Sequence, residues 1–248
     1  MAVATVFPEL FSTFLTTGVI GRGLEKGLAD IDVLDIREHP VDKRGSVDDY
    51  QFGGGAGMIL RPEPLFETYE EIPWRSGARV IMMTPQGKQL DTDYAKELAT
   101  CENLIIFCGR YGGVDERFRQ EVVTDEICIG EAVVSGGEIP AMYLIEAVFR
   151  WLPGVLGRLE SARSDSFATG LLDYPRYTRP AVYRGMEVPE ELRSGNHKKI
   201  TEWRFRAALE KTRENRPDLL KNNEKKSIEK RFADLMKEAD RAKEQSNG

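Results

Sequence analysis

The chain has 248 residues, of which 41% are apolar, which is enough to bury one large domain or a medium domain followed by a smaller one. No apolar run approaches about 18 residues and no basic segment precedes the apolar start, so we predict neither a membrane span nor a secretory signal and expect a cytoplasmic protein. The three cysteines form no CxxC pair and only two histidines are present, so no zinc site is predicted and buried thiols are favoured.

Five β-rich apolar runs alternate with amphipathic stretches in the first part of the chain. The runs predict strands over Val3–Phe7, Asp32–Ile36, Ala78–Met83, Asn103–Cys108 and Val122–Ile129. The stretches predict helices over Pro8–Thr17, Pro62–Tyr69, Asp91–Thr100 and Ile139–Trp151. This alternation predicts an α/β fold with a parallel sheet flanked by helices, in which ligands bind at the carboxyl ends of the strands.

The second part of the chain has a different pattern. Residues 152–179 lose periodicity and are rich in Gly, Ser and Pro, whereas Gly195–Arg213 has apolar residues at helical intervals with Arg and Lys between them. We therefore predict a sheet domain over residues 1–157, a flexible interdomain linker over 158–178 and a small, basic, all-helical domain over 179–248.

The net charge of −6 is unevenly divided. From Arg158 onward, 21 Lys and Arg stand against 16 Asp and Glu, a balance of +5, which leaves −11 for residues 1–157. The basic part is where a polyanion would bind, although a lysine-rich helix is more often a solvated surface. Charge alone leaves both interpretations open.

Three predicted strands end in glycine-rich loops, at Thr84–Gly87, Gly109–Gly113 and Ile129–Gly137. Glycine lets the backbone approach a ligand closely, so neighbouring loops of this kind indicate a pocket that binds through main-chain groups. Each loop alone is equally compatible with a tight turn. No GxGxxG followed by an acidic partner and no GxxxxGK[ST] is present, which disfavours dinucleotide binding and phosphoryl transfer. A further glycine run, Gly53–Gly57, suits a mobile flap.

Taken in order, these loops and several other segments resemble the bacterial tRNA (guanine-N1)-methyltransferase family from Phe7 to about Arg216. The segments are Phe7-Pro8-Glu9, Asp49–Gly55, Thr84–Gly87, Cys108–Tyr111, Asp115-Glu116-Arg117, Ile129-Gly130-Glu131, Val134–Glu138, Asp165-Ser166-Phe167, Gly170–Asp173, Tyr177–Pro180 and Ser194–His197.

The resemblance implies the SPOUT fold with a deep trefoil knot in the first domain, and assembly as a homodimer. It also implies methylation of tRNA at N1 of the guanine immediately 3′ of the anticodon, a modification that helps to maintain reading frame. It implies S-adenosylmethionine as the methyl donor. The residues that would bind this cofactor are Met83, Thr84, Pro85, Gly109, Tyr111, Gly113, Ile129, Gly130, Glu131, Ala132, Val133, Val134, Gly136, Gly137 and Pro140.

Asp165 is similar to the family's general base, and Arg150 to its activating arginine. Guanine N1 carries a proton at neutral pH, so a carboxylate must remove it, and a guanidinium at O6 stabilises the negative charge that develops there. Outside the family context, both would be interpreted as ordinary surface charges. The residues expected to contact the tRNA are Gly55, Gly57, Asp173, His197 and Arg204.

One position departs from the family pattern. The family usually has Arg-Tyr-Glu-Gly where this chain has Arg110-Tyr111-Gly112-Gly113, and the missing glutamate is associated with a Mg²⁺ requirement. Mg²⁺ is therefore a possible cofactor, and no protein ligand for it is predicted. Two alternatives follow: a catalytically impaired homodimer that binds tRNA without turnover, and a related enzyme that methylates ribose 2′-hydroxyls.

Overall fold

The computed structural model describes residues 1–156 and 165–221, together with residues 228, 230, 232 and 234. The chain divides into two compact units, Met1–Gly157 and Arg158–Gly248. Of the segment expected to form a linker, residues 158–164 lie outside the described residues.

The first unit contains a five-stranded parallel sheet in the order β2-β1-β6-β5-β7. Its strands are β1 (Ala2–Thr5), β2 (Asp32–Asp35), β5 (Arg79–Gln89), β6 (Leu104–Cys108) and β7 (Asp125–Cys128), and an antiparallel hairpin is formed by β3 (Asp48–Tyr50) and β4 (Met58–Leu60). The predicted α/β fold with a parallel sheet is confirmed.

Helices pack on both faces of this sheet. In the central strand β6, Ile106 belongs to one hydrophobic cluster, whereas Ile105 and Phe107 belong to another, as expected when successive side chains point to opposite faces. The helices of this unit are α1 (Phe11–Thr16), α2 (Gly18–Glu25), α3 (Pro62–Glu70), α4 (Thr92–Leu98), α5 (Glu116–Val122) and α6 (Glu138–Phe149), with short 3-10 turns at Pro8–Leu10 and Ile36–Glu38.

Strand β5 differs from its prediction, because it continues past Met83 to Gln89 with a register shift against β7. A Cβ at Gly87 would overlap the backbone of Glu126 and Ile127, so glycine is what allows the strand to resume there. The segment predicted as a loop after Met83 is therefore an irregularity within the strand.

The second unit contains α7 (Glu190–Arg193), α8 (His197–Asn215) and α9 (Asp218–Lys221), and a short antiparallel hairpin of β8 (Val182–Tyr183) and β9 (Met186–Glu187). The prediction of an all-helical domain is therefore wrong at this hairpin. Its two-residue turn, Arg184-Gly185, has positive φ at both positions, which is the geometry that closes tight hairpins.

The core of the second unit includes part of the expected linker. Leu171 is fully buried with Ala208, Ile228 and Phe232, and the backbone N–H of Leu172 donates to the Thr212 hydroxyl of α8 at 2.9 Å. This part of residues 158–178 is packed structure of the second unit.

Candidate functional site

A cleft of about 430 Å³ lies at the carboxyl ends of β5, β6 and β7. Of the fifteen residues expected to bind the cofactor, all but Glu131 line it; Glu131 is exposed and lies outside the lining. Sequence reasoning did not include ten further lining residues: Met82, Gln86, Arg110, Gly112, Val114, Glu116, Arg119, Ile127, Cys128 and Ser135. The three loops thus contribute to one cavity, of a size typical of small-molecule sites.

Two of these loops meet backbone to backbone at Gly137. Its N–H donates to the carbonyl of Gly109 at 2.8 Å, and a Cβ on Gly137 would lie 2.7 Å from the Cα of Cys108. No side chain fits at that distance without displacing main-chain atoms. The glycine is therefore required for the close approach of the two loops that line the cleft.

A buried carboxylate holds the same loops together. Glu138, the first residue of α6, has 1% of its side chain exposed and accepts hydrogen bonds from the Thr5 hydroxyl at 2.9 Å and from Nε of Arg110 at 3.0 Å. The Arg110 guanidinium also lies over the Phe7 ring, at 4.6 Å from its centroid. Because buried charges are stable only when paired, this arrangement fixes the Gly109–Gly113 loop against β1 and α6.

Gly112 lies where the cleft contacts the β3–β4 hairpin. The Gly112 N–H donates to the carbonyl of Met58 at 2.7 Å, and the Leu60 N–H donates to the carbonyl of Gly113 at 3.0 Å. A Cβ on Gly112 would lie 3.1 Å from the Met58 oxygen, so a larger residue requires a small shift of the hairpin. The hairpin and the cleft loop are thus structurally coupled.

The tip of that hairpin carries Gly55 and Gly57, two of the residues expected to contact tRNA. Both adopt positive φ, 124° and 84°, as do Gly53 and Gly54. Phe52, at the start of the run, is fully exposed. The loop therefore presents glycine-rich backbone and one aromatic ring to solvent beside the cleft.

The two candidate catalytic residues lie in different units. Arg150 is the residue that caps α6 at its C-terminus, and its N–H donates to the carbonyl of Glu146 at 3.3 Å. Asp165 belongs to the second unit, where 41% of its side chain is exposed and its carboxylate lies 3.6 Å from the Arg176 guanidinium. The Arg150 contact therefore lies within the first unit, and the Asp165 contact lies within the second.

The other residues expected to contact tRNA are in the second unit. Asp173 accepts from Nε of Arg176 at 2.8 Å, which links it through that arginine to Asp165. His197 is the first residue of α8, and the Arg204 guanidinium lies 5.0 Å from the centroid of the Tyr174 ring. Asp173 thus acts on the orientation of Arg176 and not as an isolated surface carboxylate.

The expectation of buried thiols holds for one of the three cysteines. Cys108 is buried, and burial, followed by the nearby Glu138 carboxylate, raises the pKa of its thiol well above its ordinary value. Cys101 and Cys128 are partly exposed.

Within the part of the chain that the structure describes, three or more His, Cys, Asp or Glu side chains are nowhere grouped as metal ligands. No described helix has the length and apolar character needed to cross a bilayer.

The chain matches known proteins along most of its length. Residues 1–222 match the family described as tRNA (Guanine-1)-methyltransferase TrmD. A tRNA (guanine-N(1)-)-methyltransferase of Moorella thermoacetica is 53% identical over 221 residues, 88% of each chain. A protein of the same name from Bacillus cereus is 45% identical over 238 residues, covering 95% of this chain and 98% of the relative.

The chain belongs to the tRNA (guanine-N1)-methyltransferase family. The resemblance inferred from its motifs is confirmed, and the chain is a methyltransferase. The region that matches the family contains the whole glycine-lined cleft, Arg150, Asp165 and helix α8. Gly112 lies within the matched region.

Proposed function

We propose that this protein transfers a methyl group to N1 of the guanine immediately 3′ of the anticodon in tRNA, and so helps to maintain reading frame. The observation that carries the proposal is the glycine-lined cleft, in which fourteen of the fifteen expected cofactor residues come together within a chain of this family. Because the substrate is tRNA, we expect the reaction to occur in the cytoplasm.

The cleft fits S-adenosylmethionine, which supplies the electrophilic methyl group when bound. A Cβ at Gly136 or Gly137 would overlap the Arg110 side chain or the Cys108 backbone, so glycine keeps the lining loops packed together, and a Cβ at Gly113 would meet no atom within 4 Å. Such a surface can hydrogen-bond an adenine and a carboxylate while Met83, Ile129 and Pro140 provide apolar contacts. We propose that these residues bind the cofactor.

In the proposed reaction Asp165 accepts the N1 proton of guanine, and Arg150 stabilises the negative charge that develops on O6. The Asp165 carboxylate lies 3.6 Å from the Arg176 guanidinium, which orients it within the second unit. A general base of this kind contributes roughly 10²- to 10⁴-fold to a rate.

We further propose a trefoil knot in the first unit and assembly as a homodimer. The direct contact of the loop after β6 with the loop before α6, at Gly109 and Gly137, is compatible with a knotted arrangement. Ile139 and Tyr143, one helical turn apart on α6, are both more than half exposed, which supports an apolar surface for a second copy.

For the RNA we propose that the guanine leaves its stack and is read in the single-stranded anticodon loop. Gly55 and Gly57 would allow the hairpin tip to adapt to it, while Asp173, His197 and Arg204 would contact the RNA from the second unit. Mg²⁺ would act with the RNA or with the cofactor carboxylate, because the glutamate that the family usually carries is replaced by Gly112. No described contact and no comparison supports the alternative of a binder without turnover.

The test is methylation of an unmodified tRNA transcript with consecutive guanines at the 3′ side of the anticodon. The transcript is incubated with protein and S-adenosylmethionine, with and without Mg²⁺, and the nucleosides and nuclease fragments are analysed by mass spectrometry. We expect 1-methylguanosine at the proposed position and a roughly 10²- to 10⁴-fold slower reaction for Asp165→Asn. Asp93→Asn, which changes an exposed carboxylate in the first unit, is the matched control.

Two outcomes would contradict the proposal. A 2′-O-methylated nucleoside would identify the enzyme as a ribose methyltransferase. Binding of tRNA with no methyl transfer by the unaltered protein would make it a non-catalytic binder.

A further inference from the structure

A second cleft, of about 440 Å³, lies wholly within the second unit and is separate from the glycine-lined cleft. Residues 177–180 form one side of it and the β8–β9 hairpin with Val188 forms the other. The hairpin is joined to the preceding segment by a hydrogen bond from the Val188 N–H to the Ala181 carbonyl at 2.9 Å. The cleft is therefore built by local structure, within about a dozen residues.

Its walls present large side chains to solvent. Tyr177, Tyr183 and Met186 retain 51%, 56% and 65% exposure, which is high for residues of this size in a folded unit. Tyr177 is supported from behind by an edge contact with Trp203 of α8, with ring centroids 6.2 Å apart. Tyr177 is thus supported by α8, while both tyrosine rings remain more than half exposed.

The charges around this cleft favour an anionic ligand. Arg179 lines the cleft and forms no ion pair or hydrogen bond with the residues that the structure describes. The acidic lining residue, Glu187, is paired with Arg193 at 3.2 Å, and the Arg184 guanidinium lies over the Tyr183 ring at 5.3 Å from its centroid. The net charge of +5 from Arg158 onward adds to this local excess of positive charge.

We propose that this cleft binds an unpaired nucleotide of the tRNA, with the base stacked on Tyr183 or Tyr177 and its phosphate paired with Arg179. Aromatic rings beside cationic side chains are the combination by which proteins hold single-stranded nucleic acid. A volume of about 440 Å³ accommodates a small ligand such as one nucleotide and excludes a base-paired helix. This inference rests on the proposed tRNA substrate, and it adds a contact made by residues that are assigned neither to catalysis nor to the glycine-lined cleft.

The test measures the affinity of the full-length protein for the unmodified tRNA transcript, by fluorescence anisotropy at several salt concentrations. We expect Tyr183→Ala to weaken binding by about 5- to 150-fold, the range for loss of one stacked base, and Tyr183→Phe to bind within about twofold of the unaltered protein. Arg179→Met should weaken binding and reduce the slope of log affinity against log salt by about one, because one phosphate contact is lost.

Lys211→Ala, which removes an exposed cation elsewhere in the second unit, is the matched control for charge. Because Tyr183→Ala could disturb the short hairpin, circular dichroism and calorimetric binding of S-adenosylmethionine are measured for every variant. Arg179→Met, whose side chain is exposed outside the strands, provides a test that does not depend on the hairpin.

Retention of full tRNA affinity by both Tyr183→Ala and Arg179→Met would overturn the inference. The inference would also be overturned if the variants changed only the oligomeric state, measured by light scattering. The cleft would then be a contact with a second copy of the chain. Failure of the unaltered protein to bind or methylate tRNA is a different result, because it removes the proposed function itself.

Discussion

Replacing Arg110 with alanine would leave the Glu138 carboxylate buried beside α6 and deprived of its charged partner. The Thr5 hydroxyl, at 2.9 Å, would be its remaining donor among the described residues. Breaking a buried ion pair costs about 3–5 kcal/mol, and we expect about 3 kcal/mol because the Arg110 side chain keeps 20% exposure. This is a large part of the roughly 5–15 kcal/mol that stabilises a typical domain.

The measurement is urea unfolding at one fixed protomer concentration, because dimerisation would make stability depend on concentration. Arg117→Ala is the control, since Arg117 pairs with Asp115 at 2.8 Å but is 70% exposed, and such pairs are worth at most about 1 kcal/mol. The double variant Arg110→Ala/Glu138→Gln should be more stable than Arg110→Ala alone, because it leaves no uncompensated charge. The reasoning is refuted if Arg110→Ala is no more destabilising than Arg117→Ala, or if the second substitution restores nothing.

Three further predictions concern single positions. Gly137→Ala places a methyl group 2.7 Å from the Cα of Cys108, so we expect calorimetry to show S-adenosylmethionine binding at least about tenfold weaker; unchanged affinity would contradict the backbone contact. Gly112→Ala and Gly112→Glu both add a Cβ at the crowded position, but only the second adds a carboxylate. We therefore expect Mg²⁺-stimulated methylation to be faster for Gly112→Glu than for Gly112→Ala. Equal rates would exclude a role for the carboxylate. Burial opposes ionisation of Asp125, but hydrogen bonds led by that from Arg79 lower its pKa to about 2, so its stabilisation is present above pH 4 and is lost as pH falls towards 2. Asp125→Asn should therefore be less stable than the unaltered protein at pH 7 by about 1–2 kcal/mol in urea unfolding, and the difference should shrink at pH 2–3; a difference independent of pH would exclude the ionised form as its cause.

The strands of the parallel sheet were predictable because their apolar runs are long and bounded by loops. The hairpin of β3 and β4 was not, since Asp48–Tyr50 is charged and pairs through its backbone. Helix α2 was not predicted because Gly18–Glu25 contains three glycines, which have low helix propensity. A Cβ on Gly21 would lie 2.7 Å from the carbonyl oxygen of Thr16, so close packing requires glycine there.

The site was predictable to the extent that it is built from local glycine turns. Arg110 lies in a loop that the sequence indicated as part of the pocket, but its ion pair depends on contacts between distant segments. Arg110 is 28 residues from Glu138, and Thr5 is 133 residues from it, so no local pattern relates the three. The sequence indicates a role for Gly112 only through the resemblance, and its hydrogen bond to the Met58 carbonyl joins segments that are far apart in the chain.

The main-chain construction of the glycine-lined cleft bears on resistance to inhibitors. A compound that hydrogen-bonds to backbone N–H and carbonyl groups near Gly109 and Gly137 uses atoms that no codon change can remove. A substitution that blocks the compound by adding a side chain at Gly137 also forces apart the two loops that form the cleft. Escape by point mutation at this contact therefore damages the protein's own ligand site, and such a compound leaves few tolerated routes to resistance.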